Sequence, residues 1–129
     1  MQLAAQIVIG FIAVIHIYIL WLEMFAWTTR APKVFKSFPQ HLFQETKILA
    51  ANQGLYNGFL AAGLIWSLFI CDHVWKQNVS IFFLICVLVA GIYGAITSSK
   101  RILFVQAVPA AIGLVLVLLE KFFFDVIVR

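Results

Sequence analysis

The segment ILAANQGLYNGFLAAGLIWSLFI, residues 48–70, is long and apolar enough to cross a bilayer, yet Asn52, Gln53, Tyr56 and Asn57 fall within two of its turns. At 100° per residue these four side chains fill an arc of about 140°. A second line, Ala50, Gly54, Gly58 and Ala62, places a small side chain at every fourth residue. That pattern lets helices in lipid approach closely. Ile48, Leu55, Phe59 and Trp66 occupy the remaining side and suit lipid tails. Such a helix is buried on two faces, as the central member of a bundle.

The rest of the chain agrees with a bilayer as solvent. Of 129 residues, 64% are hydrophobic and only 11% charged, too few to cover a water-soluble domain. The chain is therefore read as an integral membrane protein. Its net charge of +4 is no nucleic-acid signal. The basic residues sit between apolar runs, where anionic lipid headgroups are their natural partners. Three further apolar runs cover about 3–27, 79–97 and 102–119. With 48–70 they predict an all-α polytopic membrane protein. Residues 1–129 form one integral membrane domain, an antiparallel up-down bundle of four transmembrane helices. The connections CDHVWKQN (71–78) and SSKR (98–101) are short, which makes neighbouring helices antiparallel. The first connection, TTRAPKVFKSFPQHLFQETK (28–47), is long, basic and broken by Pro32 and Pro39. Val34, Phe35, Phe38, Leu42 and Phe43 make it an amphipathic interfacial segment, expected to lie on the headgroups.

Arg30, Lys33, Lys36, Lys47, Lys100 and Arg101 fall on one side of this layout. Only Lys76, Lys121 and Arg129 fall on the other. The bias puts the first and third connections in the cytoplasm and both termini outside. The first basic side chain, Arg30, follows the first apolar run, so that run is expected to remain as a membrane helix and not to be cleaved as a signal. Cys71 and Cys86 lie at different expected depths and read as small apolar residues, not a disulfide.

With this topology, every helix brings polar groups into the same leaflet. Glu23 lies about 6 Å from the cytoplasmic end of the first helix and His16 about 16 Å. Asn52 and Gln53 lie about 6–8 Å deep, with Tyr56 and Asn57 a turn further. Tyr93 and Gln106 are each about 6 Å in, and Pro109 follows just below as a candidate kink. The outer stretches GLIWSLFI, SIFFLICVL and LVLVLL of the three helices after the first are almost purely apolar. The expectation is one polar chamber open to the cytoplasmic side, lined by Glu23, His16, Asn52, Gln53, Tyr56, Asn57, Tyr93 and Gln106.

Glu23 is the strongest single signal, because a carboxylate within a membrane segment is costly and usually functional. It can carry charge or a proton. Its plain alternative is an interfacial residue paired with Arg30 or Lys33. His16, on nearly the same helix face, is a deeper relay or ligand contact, or else a neutral imidazole bonded to Asn57, Tyr56 or a carbonyl. The amides and tyrosines orient a ligand, or they tie helices together. No metal is expected, since zinc takes three or four protein ligands and only His16 and Glu23 offer themselves. Adjacent Cys71, Asp72 and His73 do not converge on one ion, and no cofactor is assigned. No phosphate loop, nucleophile elbow or zinc-protease motif is present.

HIYILWLEMFAW, ANQGLYNGFLAAGL, AGIYGA and VQAVPAAIGL together resemble the small bacterial membrane proteins grouped as the domain-of-unknown-function 1304 family. The resemblance covers about residues 3–119 and includes the same eight polar positions. It implies a four-helix protein of the bacterial inner membrane and no established activity. Binding or transport of a small amphiphilic or lipid-like molecule, with or without proton coupling, is the leading functional expectation. A homodimer or larger assembly is expected, because one four-helix unit is small for a translocation path. The alternatives are an intramembrane enzyme, with Glu23 and His16 in acid–base roles, and a structural or accessory membrane subunit. About 10.5 Å of helix axis separates Glu23 from His16, so a substrate or water would have to bridge them.

Overall fold

The computed structural model describes residues 2–127, which leaves Arg129 of the charge count outside the described residues. The regular elements among these residues are all helical, with no strand. The helices are α1 (Gln2–Met24), α2 (Ala31–Val34), α3 (Leu42–Glu45), α4 (Lys47–Phe69), α5 (His73–Thr97) and α6 (Val108–Ile127). A π-helical turn, Leu103–Ala107, leads into α6. Three segments, Gln2–Met24, His73–Thr97 and Leu103–Ile127, are long and apolar enough to cross a membrane. α4 matches α1 in length at 23 residues, but Lys47, Asn52, Gln53 and Asn57 dilute its first half. Phe25, Ile48, Phe69, Ile96 and Ile127 are 71–80% exposed, an outer surface suited to lipid and not to water.

The chain divides into two compact units, Val14–Ala61 and residues 1–13 with 62–129. In the first, α1 stops at Met24, three residues before the expected end. The Ala26 carbonyl there accepts the N–H groups of Thr29, Arg30 and Ala31 at 3.3, 2.9 and 3.0 Å, which turns the chain. Pro32 then opens α2, where a missing N–H costs nothing. The aromatic side chains of the connection, expected to meet the headgroups, turn inward instead. Trp27 meets Phe43, Phe35 and Phe38 at ring-centroid distances of 5.1, 5.7 and 5.9 Å. Leu22, Ala26 and Ala31 complete this small core, and Trp27 Nε1 donates to Thr46 Oγ1 at 3.0 Å. Aromatic rings bury more surface against one another than a lone residue can at an interface. α4 then runs antiparallel to α1: Thr46 meets Trp27, and further along α4 Gly54 meets Glu23 and Gly58 meets Leu20.

In the second unit, α5 begins at His73, six residues before the expected start. The Asp72 carboxylate caps it by accepting the Trp75 N–H at 2.8 Å, so most of CDHVWKQN is helix and not link. α5 and α6 form an antiparallel pair. Gly94 lies against Ile102, Gly91 against Ala107, Leu84 against Gly113, and Asn78 against Lys121. A Cβ at Gly91 would lie 2.7 Å from the Ala107 nitrogen, so only glycine lets the π-helical turn come this close. That turn is the form taken by the irregularity expected near Pro109. Proline has no N–H to offer Val105, and the neighbouring Val108 N–H donates five residues back, to the Leu103 carbonyl. α6 runs to Ile127, eight residues past the expected end, because EKFFFDVI continues its helical pattern. Val8 of α1 packs against Gly113, and Phe83 of α5 fills the place of a side chain at Gly63 of α4.

Candidate functional site

The two halves of the opening pattern separate in space. Small residues on α4 face α1: Ala50 and Ala61 are buried, and Gly54 and Gly58 admit α1 closely. A Cβ at Gly54 would meet Met24 Cγ at 2.9 Å, Glu23 Cβ at 3.0 Å and the Leu20 carbonyl at 3.1 Å. Ala62, expected in that line, is exposed, and Ala61 takes its place. The close approach brings Glu23 to Asn57. Asn57 Nδ2 donates to Glu23 Oε2 at 2.9 Å and to the Gln53 carbonyl at 3.1 Å. One amide group thus ties the carboxylate of α1 to the backbone of α4. Glu23 pairs with this amide and not with Arg30 or Lys33, which are exposed.

The other expected site residues are placed as follows. His16 lies on α1 in the same unit, 1% exposed. Asn52, Gln53 and Tyr56 are exposed on α4, and Tyr56 sits beside Phe59 with ring centroids 6.2 Å apart. In the second unit, Tyr93 is 69% exposed, with its carbonyl accepting from Thr97 Oγ1 at 2.8 Å. Gln106 is half-buried within the π-helical turn. The structure therefore joins Glu23 and Asn57 directly, with Gln53 contributing a backbone carbonyl.

A family model described as "Protein of unknown function (DUF1304)" matches residues 10–118, which contain all eight positions. The chain belongs to this family. An uncharacterized protein, YpaA, of Lactococcus lactis subsp. lactis (strain IL1403) is 30% identical over 106 residues, which is 81% of this chain and 87% of the relative. No solved structure matches.

This DUF1304 member also has a polar cluster that is not among the expected site residues, because it lies in the expected connection 71–78 and beyond the expected end of the last helix at residue 119. His73 Nε2 lies 2.9 Å from Gln77 Nε2 and 3.6 Å from Glu120 Oε1, and its ring stands 4.4 Å from that of Phe124. With the imidazole neutral, the Gln77 amide donates to it. Gln77 and Ser80 are almost fully buried. They border a small cleft of about 20 Å³ together with Gln2, Gln6, Lys76 and Glu120. That volume holds about one water molecule. None of the eight expected site residues lines it. Two signals pointed here: Asp72 three residues before Trp75, the mark of a helix start, and His73 with Gln77 four apart on one face.

Proposed function

We propose that this protein crosses the inner membrane of bacteria four times, with α4 as the remaining span, the first and third connections in the cytoplasm and both termini outside. It binds or moves a small amphiphilic molecule, and Glu23 carries charge or a proton in that process. The observation that carries the reading is the 2.9 Å bond from Asn57 to Glu23. A carboxylate within an apolar helix is expensive and marks function by default. Here it is oriented by an amide on the next long helix, as a polar anchor for a headgroup would need. Buried His16 on the same helix serves as the deeper relay. Asn52, Gln53 and Tyr56, exposed on α4, are available to a ligand or to a second copy in a homo-oligomer. Tyr93 and Gln106 are further polar contacts in this reading.

One observation favours a second reading. The same Asn57 amide is shared with the Gln53 carbonyl, as in a bond that only fastens helices. The protein would then be a structural subunit. Mass spectrometry of small molecules that co-purify in mild detergent separates the two, using the wild type and Glu23→Gln. A molecule held at stoichiometric amount by the wild type and lost from a folded Glu23→Gln protein supports binding. An empty wild type, with Glu23→Gln failing to assemble, supports the structural subunit. The enzyme reading requires in addition that product formation be lost in both Glu23→Gln and His16→Ala.

A further inference from the structure

The connection between α1 and α4 has a folded interior and a cationic exterior. Its aromatic residues are spent on Trp27, and Phe38 and Phe43 also meet edge to face at 4.9 Å. The backbone is held in place: Phe35 donates to the Ala31 carbonyl at 2.8 Å, Phe38 to Phe35 at 3.0 Å and Leu42 to Pro39 at 3.1 Å. Thr46 Oγ1 accepts from Trp27 and donates to the Leu42 carbonyl at 2.7 Å, closing the segment onto itself. Outside this core Arg30, Lys33, Lys36 and Lys47 are all exposed, against one carboxylate, Glu45. None of the four cations forms an ion pair among the described residues. The segment starts where α1, a helix long enough to span the bilayer, comes to its end. With α1 crossing the bilayer, as in the function proposed above, the segment stands at headgroup level.

We infer that this folded basic segment is a docking surface for anionic phospholipid headgroups, held by charge and not by insertion of its aromatic residues. Charge complementarity selects the partner: four exposed, unpaired cations against one carboxylate suit a surface that carries negative charge, as anionic lipid does. The inward rings leave little apolar side chain to enter the acyl region, and Val34 alone among the large hydrophobic residues of 28–47 is exposed. Each cation near an anionic surface favours association by roughly fivefold. An electrostatic contact of this kind weakens as salt shortens the screening length.

The test uses the full chain, reconstituted in bilayers of equal phosphatidylcholine and phosphatidylglycerol and released into mild detergent. Native mass spectrometry then counts the retained lipids at about 50 mM and about 500 mM salt, between which screening shortens roughly threefold. The wild type is compared with Arg30→Gln/Lys33→Gln/Lys36→Gln/Lys47→Gln. The expected result is a several-fold excess of phosphatidylglycerol on the wild type at low salt. That excess falls toward the bulk ratio at high salt and in the quadruple variant. A charge-keeping variant, Lys33→Arg/Lys36→Arg, retains it. If the quadruple variant fails to fold, Lys33→Gln/Lys36→Gln alone should give a partial loss. The inference is overturned if the neutralised proteins keep the full excess, or if the wild-type excess survives high salt unchanged, as a lipid in an apolar pocket would. It is overturned equally if the wild type shows no excess.

Discussion

Glu23 and Glu120 are both carboxylates on helices long enough to span a membrane, and the chain handles them in opposite ways. Glu23 is held by Asn57 at 2.9 Å, where Gly54 lets α4 press against the α1 backbone at Leu20. Glu120 stands 3.6 Å from His73 beside a cleft large enough for a water, with three glutamines and a serine around it. One carboxylate is gripped by packing; the other borders a cleft where water can share its charge. A polar residue in an apolar chain acquires a defined role from the closeness of the helices around it, and residue type alone does not separate the two cases.

Widening the gripped site is the strongest way to erase that contrast. Gly54→Leu places a side chain where a Cβ alone already lies 3.1 Å from the Leu20 carbonyl. It should cost about 1–3 kcal/mol of stability in a detergent unfolding titration and break the Glu23–Asn57 bond. If stability is unchanged, the close α1–α4 approach is wrong. Asn57→Leu removes the amide and keeps the packing. Its expected cost is about 0.6–1.7 kcal/mol, the range of single interhelical bonds in membranes. In a double-mutant cycle with Glu23→Gln, the two changes should be non-additive, and simple additivity would show that the residues do not interact. At the cleft, Glu120→Gln should cost less than about 1 kcal/mol, as for a long, partly solvated contact. A loss as large as that of Asn57→Leu would make the two regions alike. Gln53→Ala should have the smallest effect, within about 0.5 kcal/mol, because Asn57 uses only the backbone carbonyl of Gln53.

The gripped site was largely legible in the sequence, for a local reason. Gly54 and Gly58 sit four apart on one helix, His16 and Glu23 seven apart on another, and a single connection joins the two helices. The partner of Glu23 was less legible. Arg30 and Lys33 compete on charge, whereas Asn57 wins on position, since the small-residue line and Asn57 share the side of α4 that faces α1. The Asn52–Tyr56 edge of the same polar arc is exposed, because a 140° arc is too wide for one helix contact. The cleft was not legible as a site. Its members lie on four helices, and charged residues near helix ends read as boundaries. His73 finds Glu120 only once α5 is seen to start at His73, capped by Asp72, and α6 to continue past residue 119. The inward turn of Phe35, Phe38 and Phe43 escaped for a similar reason. Apolar residues beside lysines describe an interfacial segment and a small aromatic core equally well, and only the fold around Trp27 chooses between them.

The Glu23–Asn57 bond supports both the functional proposal and the contrast between the two carboxylates. Its most direct test is a solid-state NMR distance in the bilayer, between ¹³C in the Glu23 carboxyl and ¹⁵N in the Asn57 side chain. The account predicts a resolvable dipolar coupling, as for a carboxyl carbon one hydrogen bond from an amide nitrogen, at about 3.5–4 Å. Absence of coupling in a protein whose α1 and α4 remain helical would contradict it.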